Sequence, residues 1–303
     1  MDQIIGNIGL LFEFPVVNLK ILIDGIMIGA LFALAAYGLA LVWGVMNVKN
    51  LAQGDFVIAG GYVAWTLDQN GIHPFIGIPV AFAVMWVIGW ITYKLVIKRV
   101  IERDLFTSLL ATFGLAIMFA QLLNLMFGSD TQSIQLDMPT LYFADGFIDV
   151  PMSKLVGVVM ALSLAVGVIL FMKRSRMGQA IRATAQDARA ARVLGIDTDK
   201  VYSFTFSLNS AICGAAGAII VMAWVIQPFY GITYSVRAFV IVTAAGLGNL
   251  PGVIAAGLGI GALEQYGSHI FGIGYQQAIA VLLLLLVLFI RLLQQRRNRQ
   301  VLQ

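Results

Sequence analysis

Charge is the scarcest property of this 303-residue chain: only 11% of its residues are Asp, Glu, Lys or Arg, whereas 60% are apolar. Soluble domains usually carry about 25% charged residues. The 19 basic and 15 acidic side chains are too few to cover the surface of a soluble protein of this length. The composition therefore excludes a soluble globular enzyme, a disordered chain and a nucleic-acid-binding protein.

Side chains that bind metals or form disulfides are also rare. The single cysteine, Cys213, excludes an internal disulfide and a cysteine-based metal cluster, and the two histidines, His73 and His269, are far apart in sequence. We therefore predict that the chain binds no metal and no cofactor. The first 20 residues lack a basic start followed by a small-residue cleavage site, so we expect the first spanning helix to direct membrane insertion.

Long charge-free windows make up most of the remaining sequence. A helix needs about 20 apolar residues to cross a bilayer. The charge-free windows are 25–48, 69–93, 105–129, 155–172, 201–236, 238–263 and 265–290. A shorter apolar segment lies at about 50–67. Backbone polar groups in hydrocarbon must be paired within the segment, so these windows are helices. We predict an all-α membrane bundle in a single domain over 1–303, with about seven spanning helices plus a re-entrant or broken helical hairpin.

The basic residues predict the orientation of this bundle, because Lys and Arg collect in cytoplasmic loops. Alternating spans place sixteen of the 19 basic residues on one side, seven of them in the loop 173–200. Lys20, Lys154 and Arg237 fall on the opposite side. The loop 173–200 and the C-terminus are therefore predicted to be cytoplasmic, and the N-terminus to lie outside.

Two apolar windows follow Arg237, and two full crossings would place the basic C-terminal tail outside. We therefore predict that 238–265 is a helical hairpin that enters and leaves on the outer side. Gly and Pro interrupt helices, so the turn is assigned to Gly248, Asn249, Pro251 and Gly252. Each arm would have about 10 to 14 residues, which is too short to span a bilayer.

Three acidic residues fall within or next to the apolar segments, where an ionisable group is costly and indicates function. Asp24 is either a solvated helix end or a functional group. Asp55 is either stabilised by the positive end of its helix or forms a gate wall with Gln53 and Gly54. Glu264 lies either at the membrane interface or on a pathway.

Small residues four apart let helices approach closely. Gly25 and Gly29 form one such pair, and Gly257 and Gly261 form another. The pairs indicate either ordinary bundle packing or helices that slide during a conformational cycle.

The basic loop contains an alanine-rich run over 180–194, which predicts a helix. Gly195 provides a left-handed stop, and Asp197 or Thr198 can cap the following span. The loop is either a topology anchor or a helix that docks into a soluble partner. In the docking interpretation, Arg182 and Arg189 belong to an exposed polar stripe.

Three motifs carry a resemblance to a known family. The first is the run Ser175-Arg-Met-Gly-x3-Arg-Ala-x-Ala-x-Asp187 together with the segment 194–201. The second is the segment 50–55, Asn-Leu-Ala-Gln-Gly-Asp. The third is the Gly-x-Gly-Asn-Leu-Pro-Gly turn at 246–252. Together they resemble the permease subunits of ATP-binding-cassette importers of the branched-chain amino acid type. The resemblance covers about 25 to 265 and therefore most of the chain.

The resemblance implies a permease domain in a bacterial inner membrane with a periplasmic N-terminus. It also implies four kinds of partner: a second related permease, two cytoplasmic ATPases that use ATP and Mg²⁺, a periplasmic solute-binding protein and the lipid bilayer. The implied ATPase-coupling residues are Gly178, Arg182, Asp187, Arg189, Leu194 and Gly195. The implied substrate pathway contains Asn50, Gln53, Gly54, Asp55 and Glu264.

We therefore expect a non-catalytic import subunit, since the chain has no G-x-x-x-x-G-K-[ST] phosphate loop of its own. The family that the chain resembles transports branched-chain and other amino acids, urea, short amides and some aromatic acids. The alternative is a stand-alone channel or an ion-coupled secondary transporter, in which one of the three acidic residues would bind the coupling ion.

Overall fold

A computed structural model describes residues 6, 7, 9, 11, 13–101, 103–143, 146–246 and 248–300. The helices are α1 Pro15–Met46, α2 Gln53–Gln69, α3 Pro74–Thr92, α4 Leu105–Phe127, α5 Met152–Arg174, α6 Arg176–Gln186, α7 Ala188–Val193, α8 Thr198–Ala223, α9 Gly231–Ala245, α10 Leu250–Phe271 and α11 Gln276–Gln300. Helix α3 continues through a π-helical turn, Tyr93–Ile97, to Val100.

The predicted helical membrane bundle is confirmed. Among the described residues, five helices are long and apolar enough to cross a membrane: α1, α3 with its extension to Val100, Phe106–Phe127 of α4, α5 and α8. Helices α2, α9 and α10 pack with these five, and α11 packs against α9 and α10. The segment between α4 and α5 contains a short antiparallel hairpin of β1, Thr140–Phe143, and β2, Ile148–Pro151.

Helices α1 and α8 form the centre of the bundle, since 94% of the apolar window of each is buried. Small residues allow this central position: Gly217 of α8 lies directly against the backbone of Val57 in α2, where a Cβ would have no room. The apolar windows of α3, α4 and α5 are only 33%, 28% and 22% buried. Their exposed apolar side chains therefore form the outer surface of the bundle.

The two predicted glycine pairs face each other across the contact between α1 and α10. A Cβ on Gly25 would come within 2.6 Å of the Cα of Ala262, and one on Gly29 would overlap the carbonyl group of Gly257. Gly261 likewise lies against the backbone of both α1 glycines. We call this contact the glycine seam, and it confirms the packing interpretation of the two pairs.

Helix α9 begins in the middle of the bundle. After α8 ends, the chain runs back along α2: Ile226 packs against Gly61, and five residues later Gly231 packs against Gly54 and Asp55. Gln53, at the start of α2, bonds to Ala35 and Asn209, which lie near the middles of α1 and α8. The start of α2 and the start of α9 therefore meet inside the protein, where irregular backbone is shielded from lipid.

The predicted helical hairpin is present as α9 and α10, but its arms are longer than predicted. They contain 15 and 22 residues rather than 10 to 14. Gly246 and Gly248 have φ values of +92° and +79°, which favour glycine, and Asn249 caps α10 by accepting a bond from the Gly252 N–H at 3.1 Å. The turn lies beside Gly44 of α1, so the hairpin reaches the end of the bundle where α5 meets α6.

Candidate coupling surface and transport pathway

Helices α6 and α7 connect α5 to α8 at one end of the bundle. The Ser175 hydroxyl caps α6 by accepting a hydrogen bond from the Gly178 N–H at 2.8 Å. Gly178, Ile181 and Thr184 recur at helical spacing and are buried against the bundle. Gly178 lies against the backbone of Met172, where no side chain would fit, so α6 is held tightly to the end of α5.

The single helix predicted over 180–194 is wrong, because the chain breaks at Asp187. The Asp187 backbone is extended, and its Oδ1 accepts hydrogen bonds from the N–H groups of Arg189 at 2.8 Å and Ala190 at 3.0 Å. These bonds stabilise the carboxylate and lower the pKa of Asp187 below its ordinary value. Asp187 is therefore the N-cap of a separate short helix, α7.

The face of α6 and α7 away from the bundle is polar with an apolar tip. Arg189 is exposed on it, Arg182 is exposed at its edge beside the hairpin turn, and Val193 and Leu194 are 87% and 80% exposed. Gly195 has a φ of +86°, as predicted for a left-handed stop. Asp197 caps α8 by accepting a bond from the Lys200 N–H at 3.2 Å, which confirms one of the two predicted caps. We call the exposed face of 176–195 the coupling surface.

A cavity of about 320 Å³ lies between α6 and the hairpin turn. Ile181 and Arg182 line it from α6, and Gly248, Leu250 and Pro251 line it from the turn. One edge of the coupling surface, at Arg182, therefore faces the hairpin turn across this cavity.

The predicted pathway residues near the start of α2 form a buried polar cluster. Gln53 Nε2 donates to the Ala35 carbonyl at 2.8 Å, to Asn209 Oδ1 at 3.0 Å and to Cys213 Sγ at 2.9 Å. Asn50 Nδ2 donates to Gln53 Oε1 at 3.3 Å. Because Asn50 and Gln53 are fully buried, neither faces an open pathway in this conformation.

Gly54 and Asp55 join the starts of α2 and α9. The Gly54 N–H donates to Ser235 Oγ at 2.8 Å, and Ser235 donates onward to the Leu51 carbonyl at 2.7 Å. The Asp55 carboxylate lies against Gly231 and is 3% exposed. The predicted pathway segment thus contacts the first arm of the hairpin directly.

Glu264, the remaining predicted pathway residue, is buried rather than interfacial. The Nε and Nη2 atoms of Arg237 both donate to its Oε1, at 2.8 and 2.5 Å. The assignment of Arg237 to the solvated outer side is wrong, because this residue is 8% exposed and lies within α9. Asp24 pairs with Lys154 at 3.8 Å, and both side chains are mostly buried.

A second cavity, of about 330 Å³, opens between α1, the end of α8 and the start of α9. Arg237 and Tyr234 line it from α9, and Phe32 lines it from α1. The Arg237 guanidinium carbon lies 4.5 Å from the centre of the Phe32 ring. Sequence reasoning missed Arg237 as a site residue, although an arginine between two long apolar windows was a usable signal.

No group of three or more His, Cys, Asp or Glu side chains that could hold a metal ion occurs among the residues described by the structure.

Comparison with known proteins agrees with this architecture. The family model for the permease component of branched-chain amino acid transport systems matches residues 21–292. The permease protein BraD of Pseudomonas aeruginosa, from a high-affinity branched-chain amino acid transport system, is 29% identical over 288 residues, covering 90% of this chain and 94% of BraD. A probable branched-chain amino acid transport permease protein, LivH, of Methanocaldococcus jannaschii is 30% identical over 289 residues, covering 89% and 90%.

LivH of Escherichia coli K12, also named as a high-affinity branched-chain amino acid permease protein, is 26% identical over 291 residues, covering 90% of this chain and 93% of LivH. The structure of PsaBC from Streptococcus pneumoniae in complex with a Fab aligns with a TM-score of 0.50 at 14% identity, covering 94% of this chain and 95% of that one. At this identity the structural match shows a shared fold alone.

The match over 21–292 confirms the resemblance carried by the three motifs and outweighs the alternative of a stand-alone channel or ion-coupled transporter. ABC permeases of this type are non-catalytic, multi-pass membrane proteins that bind no cofactor themselves, and they work with ATPase and binding-protein partners. The chain belongs to the family of permease components of branched-chain amino acid ABC transport systems.

Proposed function

We propose that the chain imports branched-chain amino acids across a bacterial inner membrane, as one of two related permeases joined to two cytoplasmic ATPases and a periplasmic binding protein. In this proposal residues 1–303 act as one permease domain, the C-terminus is cytoplasmic and the N-terminus is periplasmic. The positive-inside rule supports this orientation, because the coupling surface belongs to the most basic loop of the sequence.

The observation that carries the proposal is the coupling surface, which combines exposed arginines with an exposed apolar tip. Arginine is enriched among the residues that contribute most to binding at protein interfaces, and burial of an exposed apolar side chain in a partner is favourable. Arg182, Asp187 and Arg189 would contact an ATPase subunit through charge, while Leu194 at the exposed tip would enter an apolar pocket. Gly178 and Gly195 would act differently, by setting the close approach of α6 to the bundle and the turn after α7.

The path of force follows from the packing of α6. When ATP closes the two ATPases, α6 moves with them, and its tight contact with Met172 moves the end of α5. Helix α6 also packs against α1, which contacts α10 along the glycine seam, so the displacement reaches the hairpin through α1. An ATPase can shift the permease only through contacts that differ between its two conformations.

The substrate route is proposed to run beside the segment containing Asn50, Gln53, Gly54 and Asp55 and beside the hairpin carrying Glu264. In the described conformation these side chains are buried in contacts between helices. Solute passage therefore requires the start of α2 to separate from the start of α9. This separation would break the Gly54–Ser235 hydrogen bond.

Reconstitution of the complete complex in proteoliposomes tests the proposal. We expect leucine, isoleucine and valine to be imported only when the binding protein, the ATPases and ATP are all present, with urea, acetamide and benzoate as comparison solutes. Leucine uptake without the ATPases would contradict the importer mechanism. ATP-dependent uptake of an amide or benzoate with no uptake of the three amino acids would contradict the proposed substrate.

A further inference from the structure

The cavity of about 330 Å³ beside α9 contains a buried cation, and both apolar and polar side chains line its walls. Arg237 lines this cavity, whereas its partner Glu264 does not belong to the described lining. We propose that this cavity is a solute site in which Arg237 binds the carboxylate of the transported amino acid. The inference rests on the proposed function, because it places the proposed substrate within the permease.

Arg237 is held ready for such a ligand. Its Nε and Nη2 both donate to the single oxygen Oε1 of Glu264. A guanidinium group carries five N–H donors, so this ion pair leaves three of them unused by Glu264. The ring of Phe32 covers the guanidinium at 4.5 Å and limits its movement. A planar donor group fixed in this way suits a carboxylate, which accepts two parallel hydrogen bonds from arginine.

The position of α9 adds to this preference for an anion. Tyr230, Thr233 and Tyr234 line the cavity from the first turn of the helix or the residue before it. The N-terminal end of a helix carries a partial positive charge, which favours a negatively charged group nearby. In broken membrane helices the same ends face anionic substrate groups. The arginine and the helix end therefore favour the same ligand charge from one side of the cavity.

The walls fit the other half of the ligand. Ile28, Leu31, Ile220 and Val225 line the cavity with branched aliphatic groups, and a leucine, isoleucine or valine side chain would bury apolar surface against them. Urea and acetamide offer neither a carboxylate nor an aliphatic side chain. The cavity thus selects for the chemistry of an aliphatic amino acid rather than for a small neutral amide.

The ion pair also explains how binding stays weak enough for release. Glu264 balances the charge of Arg237, so a carboxylate meets hydrogen-bond donors rather than an unneutralised charge. A buried ion pair is costly to maintain and contributes little net stability. We infer that this pair orients the guanidinium group, so that a bound carboxylate accepts hydrogen bonds from the N–H groups that Glu264 does not use.

Protection of an engineered cysteine from labelling tests the site. Cys213, the single cysteine of the chain, is fully buried and therefore shielded from the reagent. A Thr233→Cys variant adds a reactive thiol inside the cavity. In the complete complex carrying this variant, we expect millimolar leucine to slow maleimide labelling at least threefold. Leucinamide, which has the same side chain but no carboxylate, and urea should leave the labelling rate unchanged. Equal protection by leucinamide would overturn the role of the carboxylate.

Arg237 is then tested without leaving a buried charge unpaired. The double substitution Arg237→Met with Glu264→Gln removes both charges and should abolish leucine protection, while the assembled complex still elutes as one species. The double substitution Lys20→Gln with Asp149→Asn neutralises a partly exposed ion pair outside the cavity and should keep full protection. Undiminished protection in the double Arg237 and Glu264 variant would overturn the proposal.

If that variant does not assemble, Arg237→Lys keeps the charge but loses the planar donor pair. Leucine protection in Arg237→Lys should then weaken at least threefold, and unchanged protection would overturn the proposal. Failure of the site and failure of the function remain distinguishable. A Thr233→Cys complex that imports leucine with no protection would contradict this site alone, whereas a wild-type complex that imports no leucine would contradict the proposed function.

Discussion

Gly54, in the first turn of α2, and Gly231, at the start of α9, are in backbone contact. A Cβ on Gly54 would overlap the Gly231 carbonyl oxygen and come within 2.7 Å of the Ser235 nitrogen. This contact fixes how two helices that begin inside the bundle meet. It also places the predicted pathway segment against the hairpin, so the contact is expected to respond strongly to added volume.

We therefore expect Gly54→Ala to destabilise the protein by about 1–3 kcal/mol, because well-packed sites tolerate added methyl groups poorly. The measurement is the melting temperature of the purified protein, followed by size-exclusion chromatography after heating. Gly114→Ala in α4 is the matched control, since nothing lies within 4 Å of a Cβ at that position. A melting temperature equal to that of wild type for Gly54→Ala would show that the contact can relax.

Reversal of charge on the coupling surface should separate ATP hydrolysis from transport. The Arg189 side chain is exposed, so Arg189→Glu should leave membrane insertion and thermal stability unchanged. We expect leucine uptake by the reconstituted complex to fall about tenfold, which corresponds to a loss of about 1.4 kcal/mol at an interface. Arg103→Glu, an exposed arginine between α3 and α4, is the matched control and should retain uptake. Uptake equal to that of wild type in Arg189→Glu would show that Arg189 does not contact an ATPase through the coupling surface.

The Asp187 cap predicts a specific pH dependence for α7. The pKa of Asp187 is lowered by the N–H groups of Ala190 and Arg189, so its stabilising effect is complete above the ordinary carboxyl pKa of about 3.9 and is lost as the pH falls through the lower folded value. Amide exchange over 188–193, corrected for intrinsic rates, should therefore show constant protection from pH 5 to pH 8. Asp187→Ala should exchange several times faster, while Asp187→Asn keeps a capping oxygen and most of the protection. A steep loss of protection between pH 8 and pH 6 would contradict this assignment.

The bond between Gln53 and Asn209 predicts non-additive substitutions. Gln53→Met leaves buried polar partners unsatisfied and should cost about 1–3 kcal/mol of stability. Asn209→Ala should also destabilise, and the double variant should lose less than the sum by at least about 0.5 kcal/mol. Thermal unfolding of the single and double variants gives the coupling energy. The stability losses of Gln53→Met and Asn70→Ala, which removes an exposed side chain, should be additive in the control double variant. Additive losses for Gln53→Met and Asn209→Ala as well would exclude a direct interaction between Gln53 and Asn209.

The long apolar helices were predictable because their apolar composition matches the lipid that surrounds them. The ends of α4 at 105 and 127 follow from the Asp104 cap before the helix and from Gly128 after it. The same apolar windows carry no information about depth, however, so the start of α2 inside the bundle could not be predicted. That position depends on contacts of Gln53 with Ala35 and Asn209, which are distant in sequence.

The charged residues show a similar limit. The sequence places Arg237 next to an apolar window, and a count of charges per side treats it as solvated. Its burial depends on Glu264, a partner 27 residues away on the other arm of the hairpin. The break at Asp187 is a different case, since an Asp before an alanine-rich turn is a strong N-cap signal that the local sequence already contained.

The glycine seam also determines which genetic changes can be repaired. At Gly25, Gly29 and Gly261 an added methyl group would meet the main chain of the opposite helix rather than one of its side chains. No substitution on that helix can restore the fit, because a substitution shortens a side chain and leaves the main-chain atoms in place. Loss-of-function alleles at these three positions should therefore revert only at the mutated codon, and screens for second-site suppressors in the facing helix should return none.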